Sequence, residues 1–303
     1  MKALVIGFGS IGSRHARILM ELGCDVGVVS RRAIDFSKSY LSLEKALNEH
    51  QPDYIVIANR TSEHFLTLKR LQALRFQGIV MVEKPLFGRA ERFDPKYFKK
   101  VVVGYNLRFH PLIMKLRALL KGRKILTAQT YVGKDLRKWR KNADYRKSYS
   151  ALKDEGGGVL RDLSHELDYM NWILGGWKAV TAVGGHYSRL AIETDDAYCV
   201  MMKTKRCESV LVQMNYVDHA GHRAMIFNSD DLTVKVDLMN GWIEVNGKKQ
   251  KFESERDQTY RDEHRAVMAG KWNNLCSYEE AMDIMHLIES AEKSSKTEKW
   301  VKK

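Results

Sequence analysis

The stretch Lys2-Ala3-Leu4-Val5-Ile6-Gly7-Phe8-Gly9-Ser10-Ile11-Gly12 decides the fold. Residues 2 to 6 read as a short buried parallel strand. A helical pattern follows the glycines through Ala16, Leu19, Met20 and Leu22, and stops at Gly23. G-x-G-x-x-G between a strand and a helix is the arrangement that cradles a dinucleotide. Gly7 permits the tight turn, Gly9 lets the backbone approach a pyrophosphate, and Gly12 allows close helix–strand packing. Ser10 and Ile11 stand within this turn as cofactor-binding candidates, and the free N–H groups and positive dipole end of the helix that follows suit phosphate.

Working outward, Val26 to Val29 is a second strand, ending in Ser30-Arg31-Arg32. An NAD site usually has an acid there for the ribose 2′-hydroxyl. A hydroxyl and two guanidinium groups stand in its place, which suits a 2′-phosphate. NADP is therefore the favoured cofactor and NAD the possible one. Strands at 53–58, 79–82 and 101–104 alternate with a helix at 62–74, for which Ser62 is the expected N-cap. This is a doubly wound Rossmann sheet, and ligands of such sheets sit beyond the carboxyl ends of the strands. Asn59, Arg60, His64, Glu83, Lys84 and Asn106 fall at or beside that edge.

After a helix at 112–120 the texture changes. Residues 125–132 are extended, and long strand-like runs follow at 180–187, 197–203, 209–217, 223–228, 232–238 and 242–245. Their alternation of polar and apolar residues predicts a sheet with one covered and one open face. Helices near 260–269 and 277–293 close the chain, and the Lys-rich end is expected to fray. The expected organisation is a dinucleotide-binding domain over 1–108 and an α+β domain over 109–303. The second domain is an open-faced, mainly antiparallel sheet of five or six strands covered on one side by helices, with the closing helices free to pack back on the first domain.

Gly156-Gly157-Gly158 leads into a third informative stretch. Leu160, Leu163, Leu167, Met170 and Leu174 form one apolar stripe of a helix. Asp162, His165, Glu166 and Tyr169 share a different face of it. A carboxylate and an imidazole side by side suit proton transfer, although the same pattern also fits a merely solvated face. Beside a cofactor-binding half the first reading gains weight. Hydride transfer from a carbinol needs a base for the hydroxyl proton and a cation for the developing alkoxide. His165 is the candidate base, Lys84 the electrostatic partner, and Asp162 the third member of the set.

The net charge of +14 over 303 residues directs attention to an anionic partner. The densest basic stretch, from Lys134 to Lys147, includes Arg137, Lys138, Arg140, Lys141 and Arg146, with Trp139, Tyr145 and Tyr149 in or beside it. No nucleic-acid fold signature accompanies it, so an anionic substrate or cofactor is expected rather than nucleic acid. The histidines show no metal-ligand spacing, and no metal is expected. Four scattered cysteines, the short apolar run before Gly7 and the lack of any membrane-length run point to a cytoplasmic protein without a membrane partner.

Three motifs occur in order: the N-terminal glycine turn, Glu83-Lys84-Pro85, and Gly-Gly-Gly-x-Leu-x-Asp…His-x-x-Asp over 156–168. Together they resemble the Gfo/Idh/MocA family of nicotinamide-dependent oxidoreductases, over nearly the whole chain. The resemblance implies that Lys84, Asp162 and His165 line a substrate site, that Glu83 lies near the nicotinamide, and that the open sheet face makes a homodimer or homotetramer. The family commonly has three residues between the Asp and the His, whereas only Leu163 and Ser164 intervene here. The stretches 105–111, 144–150 and 164–168 are similar to a subgroup of bacterial surface-glycan and nonulosonic-acid sugar pathways. That similarity implies that Asn106, Arg108, Arg146 and Tyr149 bind an anionic or nucleotide-linked sugar. The expected activity is hydride transfer between NAD(P) and a secondary hydroxyl or keto group of a sugar derivative. A catalytically silent cofactor-sensing protein is the competing expectation.

Overall fold

The computed structural model describes residues 1–139 and 144–303. Arg140 and Lys141 of the basic stretch lie outside the described residues. In chain order the first elements are β1 (Lys2–Ile6), α1 (Ser10–Glu21), β2 (Asp25–Val29), β3 (Ser39–Tyr40), α2 (Leu43–His50), β4 (Tyr54–Ile57), α3 (His64–Ala73), β5 (Ile79–Val82) and β6 (Lys100–Val103). Next come α4 (Pro111–Leu119), β7 (Thr127–Gly133), α5 (Val159–Asp162), α6 (Ser164–Ile173) and β8 (Trp177–Gly185). A run of strands follows: β9 (Ala197–Thr204), β10 (Val210–Asn215), β11 (His222–Asn228), β12 (Thr233–Asp237), β13 (Trp242–Val245) and β14 (Lys248–Lys251). The chain ends with α7 (Gln258–Met268), β15 (Cys276–Ser277), α8 (Tyr278–Thr297) and β16 (Val301–Lys302).

The chain divides into two compact units. One comprises Met1–Phe109 and Arg256–Met282, the other His110–Glu255 and Asp283–Lys303. The first unit holds a seven-stranded sheet in the order β15-β6-β5-β4-β1-β2-β3. Every pair in it is parallel except β15 with β6. β1, β4 and β5 are almost wholly buried because helices cover both faces, which is why they read as continuous apolar runs. Val267 on α7 and Leu275 join Ala3, Val5, Tyr54 and Met81 in the same core, so the first unit is completed by residues more than 250 positions beyond its first strand.

The second unit holds nine strands in the order β14-β13-β12-β11-β7-β10-β9-β8-β16. All neighbours are antiparallel except β10 with β7. The expected count of five or six strands was low; both edge strands, β14 (Lys-Lys-Gln-Lys, fully exposed) and the two-residue β16, lack an apolar signal. Charged residues on an edge strand discourage further pairing. The C-terminus does not fray: Val301 pairs with Val180, and β16 closes the other edge.

Two helix expectations also change. Ser62 does not cap a helix; it lies inside a 3₁₀ turn, Thr61–Glu63, that precedes α3 without a side-chain cap. The stretch after the three glycines is not one helix either. It breaks at Leu163 (φ −99°, ψ 24°), so Asp162 ends α5 while His165 sits in the first turn of α6. Nor is its polar face solvated: Ser164 to Asn171 are all buried. Among the described residues no helix is long and apolar enough to cross a membrane.

Candidate active site

The glycine turn sits at the carboxyl end of β1. Gly7 has φ +94°, and a Cβ there would come within 2.7 Å of the Asn59 backbone. A Cβ on Gly12 would stand 2.0 Å from the Gly7 carbonyl oxygen, so the turn and α1 could not pack this closely with any other residue. A Cβ on Gly9, by contrast, would meet no atom within 4 Å. Gly9 is also the N-cap of α1, with no side-chain cap and no acid in the first turn. The first N–H groups of α1, from Ser10 and Ile11 onward, thus face an open approach with their dipole uncompensated. This fits the pyrophosphate of a dinucleotide.

At the end of β2, the Ser30 hydroxyl donates to the Arg32 carbonyl at 2.9 Å and accepts from the Arg32 N–H at 3.1 Å, which shapes the loop. Arg31 is 82% exposed and pairs with Glu63 at 2.9 Å. The other oxygen of Glu63 accepts from Asn59 Nδ2 at 3.1 Å. A carboxylate already engages the guanidinium expected to hold a 2′-phosphate, and no local sequence pattern marks a pair 32 positions apart. His64 is buried among the carbonyl oxygens of Asn59, Pro85 and Leu86, at 3.3, 3.2 and 3.1 Å. Burial pushes its imidazolium form away, and His64 ties the turn after β4 to the segment after β5.

Glu83 and Lys84 follow β5 at the same sheet edge. Glu83 Oε2 accepts the Lys84 backbone N–H at 3.0 Å, and Oε1 lies 2.7 Å from His15 Nε2. Burial pushes the Glu83 carboxyl up, but its hydrogen bond and charge interaction with His15, then the Lys84 ammonium, outweigh this and hold it below the ordinary range. Asn106 and Arg108, expected at a substrate, both have hydrogen-bond partners within the first unit. Asn106 Nδ2 donates to Thr259 Oγ1 at 2.7 Å; Arg108, 2% exposed, donates to Glu280 at 2.9 Å and to the Leu275 carbonyl at 3.4 Å.

In the second unit the glycines set up α5. A Cβ on Gly157 would meet the Tyr149 carbonyl oxygen at 2.2 Å. Gly158 has φ +109°, and a Cβ there would meet Asp195 Oδ1 at 2.4 Å. Asp195 Oδ2 accepts the Leu160 N–H at 3.2 Å, which anchors the start of α5. At its end Asp162 accepts from the Tyr216 hydroxyl at 2.5 Å. His165, 8% exposed, lies one turn further on in α6. Glu166, also on α6, is fully buried and serves the sheet: Arg223 Nε and Nη2 donate to it at 2.7 and 3.1 Å, and Tyr169 at 3.0 Å.

On either side of residues 140–143, Leu136–Lys138 and Tyr145–Lys147 form 3₁₀ turns in the second unit, with Asp135 and Asp144 holding Arg137 and Arg146 in two-pronged pairs. Leu136, Trp139, Tyr145, Lys147, Ser148 and Tyr149 line a cavity of about 240 Å³. Trp139 packs edge-on against Tyr216 at 5.2 Å, so one wall of this cavity backs onto the partner of Asp162. Trp139, Tyr145 and Lys147 were not among the expected substrate residues; their aromatic and basic character was the available signal.

These elements define a Rossmann-type unit and a second unit built on an open-faced, mainly antiparallel sheet. Residues 113–253 match the model of the GFO/IDH/MocA C-terminal domain. No curated protein matches the chain by sequence. Among solved structures, GenD2 from gentamicin A biosynthesis in complex with NAD superposes with a TM-score of 0.82 at 20% identity, over 100% of this chain and 96% of that one. The WlbA dehydrogenase from Bordetella pertussis, in complex with NADH and UDP-GlcNAcA, gives 0.77 at 16% identity over 100% and 98%. UDP-N-acetylglucosamine 3-dehydrogenase GnnA from Acidithiobacillus ferrooxidans gives 0.77 at 17% identity over 98% of each chain. The fold is shared along the whole chain with these structures, and the sequence match to the family model lies within the second unit.

Proposed function

We propose that the protein is an NAD(P)-dependent oxidoreductase acting on a secondary hydroxyl or keto group of a sugar derivative. The observation that carries this is the open, uncapped start of α1 behind Gly7 and Gly9, in the same sheet whose β5 ends in Glu83-Lys84. A nicotinamide bound there would accept hydride from a carbinol carbon or return it. His165 takes the hydroxyl proton as general base, and the Lys84 ammonium supports the alkoxide that develops. Asp162, held by Tyr216, orients the substrate. Arg146, Tyr149 and the cavity with Trp139 and Lys147 hold the rest of an anionic or nucleotide-linked sugar. The sugar-nucleotide ligand named for WlbA and the substrate named for GnnA support that class.

Because Glu63 competes for Arg31, we assign a cofactor site open to both NAD and NADP, with the preference set by that competition. Val183 and Met201 are 71% and 51% exposed on the open face of the second sheet, which supports pairing of copies through it.

The test is to follow reduced-nicotinamide absorbance with a panel of sugars and nucleotide-linked sugars. Turnover is expected with an acidic or nucleotide-linked sugar, and His165→Ala should lower kcat by about 10²–10⁴ with cofactor affinity unchanged. Cofactor binding without turnover across the panel would favour the cofactor-sensing alternative.

A further inference from the structure

Beneath Glu83 runs a buried polar chain that the proposed hydride chemistry does not use. Tyr54 Oη lies 3.0 Å from His264 Nδ1, and His264 Nε2 lies 2.8 Å from His15 Nδ1. His15 Nε2 in turn lies 2.7 Å from Glu83 Oε1. Tyr54, His15 and His264 are all fully buried. The four residues come from β4, α7, α1 and the end of β5, all in the first unit. An ionised carboxylate only accepts, so the His15 Nε2–H must donate to Glu83. Burial, and then the neighbouring His15, lower the basicity of His264 well below the ordinary histidine range. His264 is thus a neutral ring that offers His15 the complementary nitrogen. Burial, then nearby acids, push the Tyr54 hydroxyl well above its ordinary value, so Tyr54 does not ionise. The chain does not shuttle protons to Glu83; it braces a charge.

In a doubly wound sheet the dinucleotide lies across the carboxyl ends of the strands, with its pyrophosphate at the β1–α1 turn. Arg31 and Arg32 after β2 mark the adenosine side, so the nicotinamide half falls on the side of β4 and β5, where Glu83 stands. The oxidised nicotinamide ring is a cation and the reduced ring is neutral. We infer that Glu83 is a redox-state selector for the bound cofactor, favouring the oxidised over the reduced nicotinamide, and that His15, His264 and Tyr54 are positioning residues that keep it ionised. This rests on the nicotinamide reading above. Besides His15, the ionisable groups that feel Glu83 among the described residues include Lys84 beside it, His64 on α3, Tyr54 on β4 and Tyr260 on α7. Tyr260 in turn faces Arg14 and Glu263. Lys84 is the one cation next in the chain, and it opposes Glu83 at the ring without cancelling a carboxylate that stays ionised.

The experiment measures dissociation constants of NAD⁺ and NADH separately, by calorimetry and by nicotinamide fluorescence, from pH 6 to pH 9. The isosteric Glu83→Gln is expected to weaken NAD⁺ by roughly ten-fold or more, and to change NADH by less than about two-fold, at every pH. His15→Phe removes the donor and leaves burial opposed by Lys84 alone, so the carboxyl takes up a proton at a higher pH than in the parent. The variant should match Glu83→Gln at pH 6 and regain NAD⁺ affinity as the pH rises and Glu83 ionises again. Equal loss of NAD⁺ and NADH, or a His15→Phe loss that does not recover at pH 9, would overturn the inference. Should His15→Phe fail to fold, the NAD⁺-to-NADH ratio of Glu83→Gln decides alone. If the parent protein binds neither form, the nicotinamide reading itself fails, which is a separate outcome.

Discussion

The Tyr216 hydroxyl donates to Asp162 Oδ2 at 2.5 Å, joining the end of α5 to the residue just after β10, and both side chains are buried. Burial, and then the Asp162 charge, push the Tyr216 hydroxyl well above its ordinary value, so it remains a donor over the whole working pH range. Asp162 is thereby fixed from the sheet, independently of the helix it terminates.

Tyr216→Phe removes that donor from a buried carboxylate. It should cost about 1–3 kcal/mol in urea unfolding and lower kcat several-fold or more, with cofactor affinity unchanged. A stability loss with unaltered turnover would separate Asp162 from the chemistry.

Arg31 and Glu63 predict a change of cofactor preference. Glu63→Gln releases the Arg31 guanidinium and removes a negative charge that opposes a 2′-phosphate. The ratio of NADP to NAD affinity should rise about ten-fold, equivalent to about 1.4 kcal/mol. Arg31→Ala in the same background should reverse the gain. Both are read by titration, and no change in either would remove Arg31 from the cofactor site.

Burial raises the Asp195 carboxyl from its ordinary value to about 6, against the lowering effect of the Leu160 N–H and Arg161. Between about pH 4 and pH 6 the unfolded chain has released this proton while the folded chain keeps it. Stability from this group therefore falls as the pH rises through that window and is level above it. The loss is at most about 3 kcal/mol. Asp195→Asn, which can still accept from Leu160 N–H, should flatten the curve and be the more stable form at pH 7.5. Denaturation midpoints at pH 4.5 and 7.5 check the sign.

Glu166 is fully buried and Arg223 is its charged partner. Removing one member of such a pair leaves an uncompensated charge, so Arg223→Met should cost about 3–5 kcal/mol. Glu166→Gln with Arg223→Met should recover much of it, as a double-mutant cycle would show.

The parallel sheet was legible because each inner strand carries its own signal. Residues 3–6, 54–57 and 79–82 are unbroken apolar runs, and the glycine turn follows the first of them. β3 was missed because two residues have no period to detect. α2 did have a local mark, since the Ser42 side chain accepts the Lys45 N–H at the helix start. The break at Leu163 was hidden by a leucine spacing that continues through it. The reactive residue types at the candidate site were readable from Glu83-Lys84-Pro85 and the 156–168 stretch, whereas the burial of Asn106 and Arg108 was not.

What the sequence by itself determined were features that act within a few residues: apolar period, glycine turns, the uncapped start of α1, and the identity of Lys84, Asp162 and His165. Only the tertiary structure decided which charges are spent inside the protein. His15 and His264 meet across 249 positions and Asp162 meets Tyr216 across 54, and no local pattern encodes either distance. The same holds for Val301 against Val180, where a lysine-rich tail becomes a strand because an open sheet edge offers it backbone partners. Burial makes a polar side chain costly unless it finds a partner, and that partner can come from anywhere in the chain.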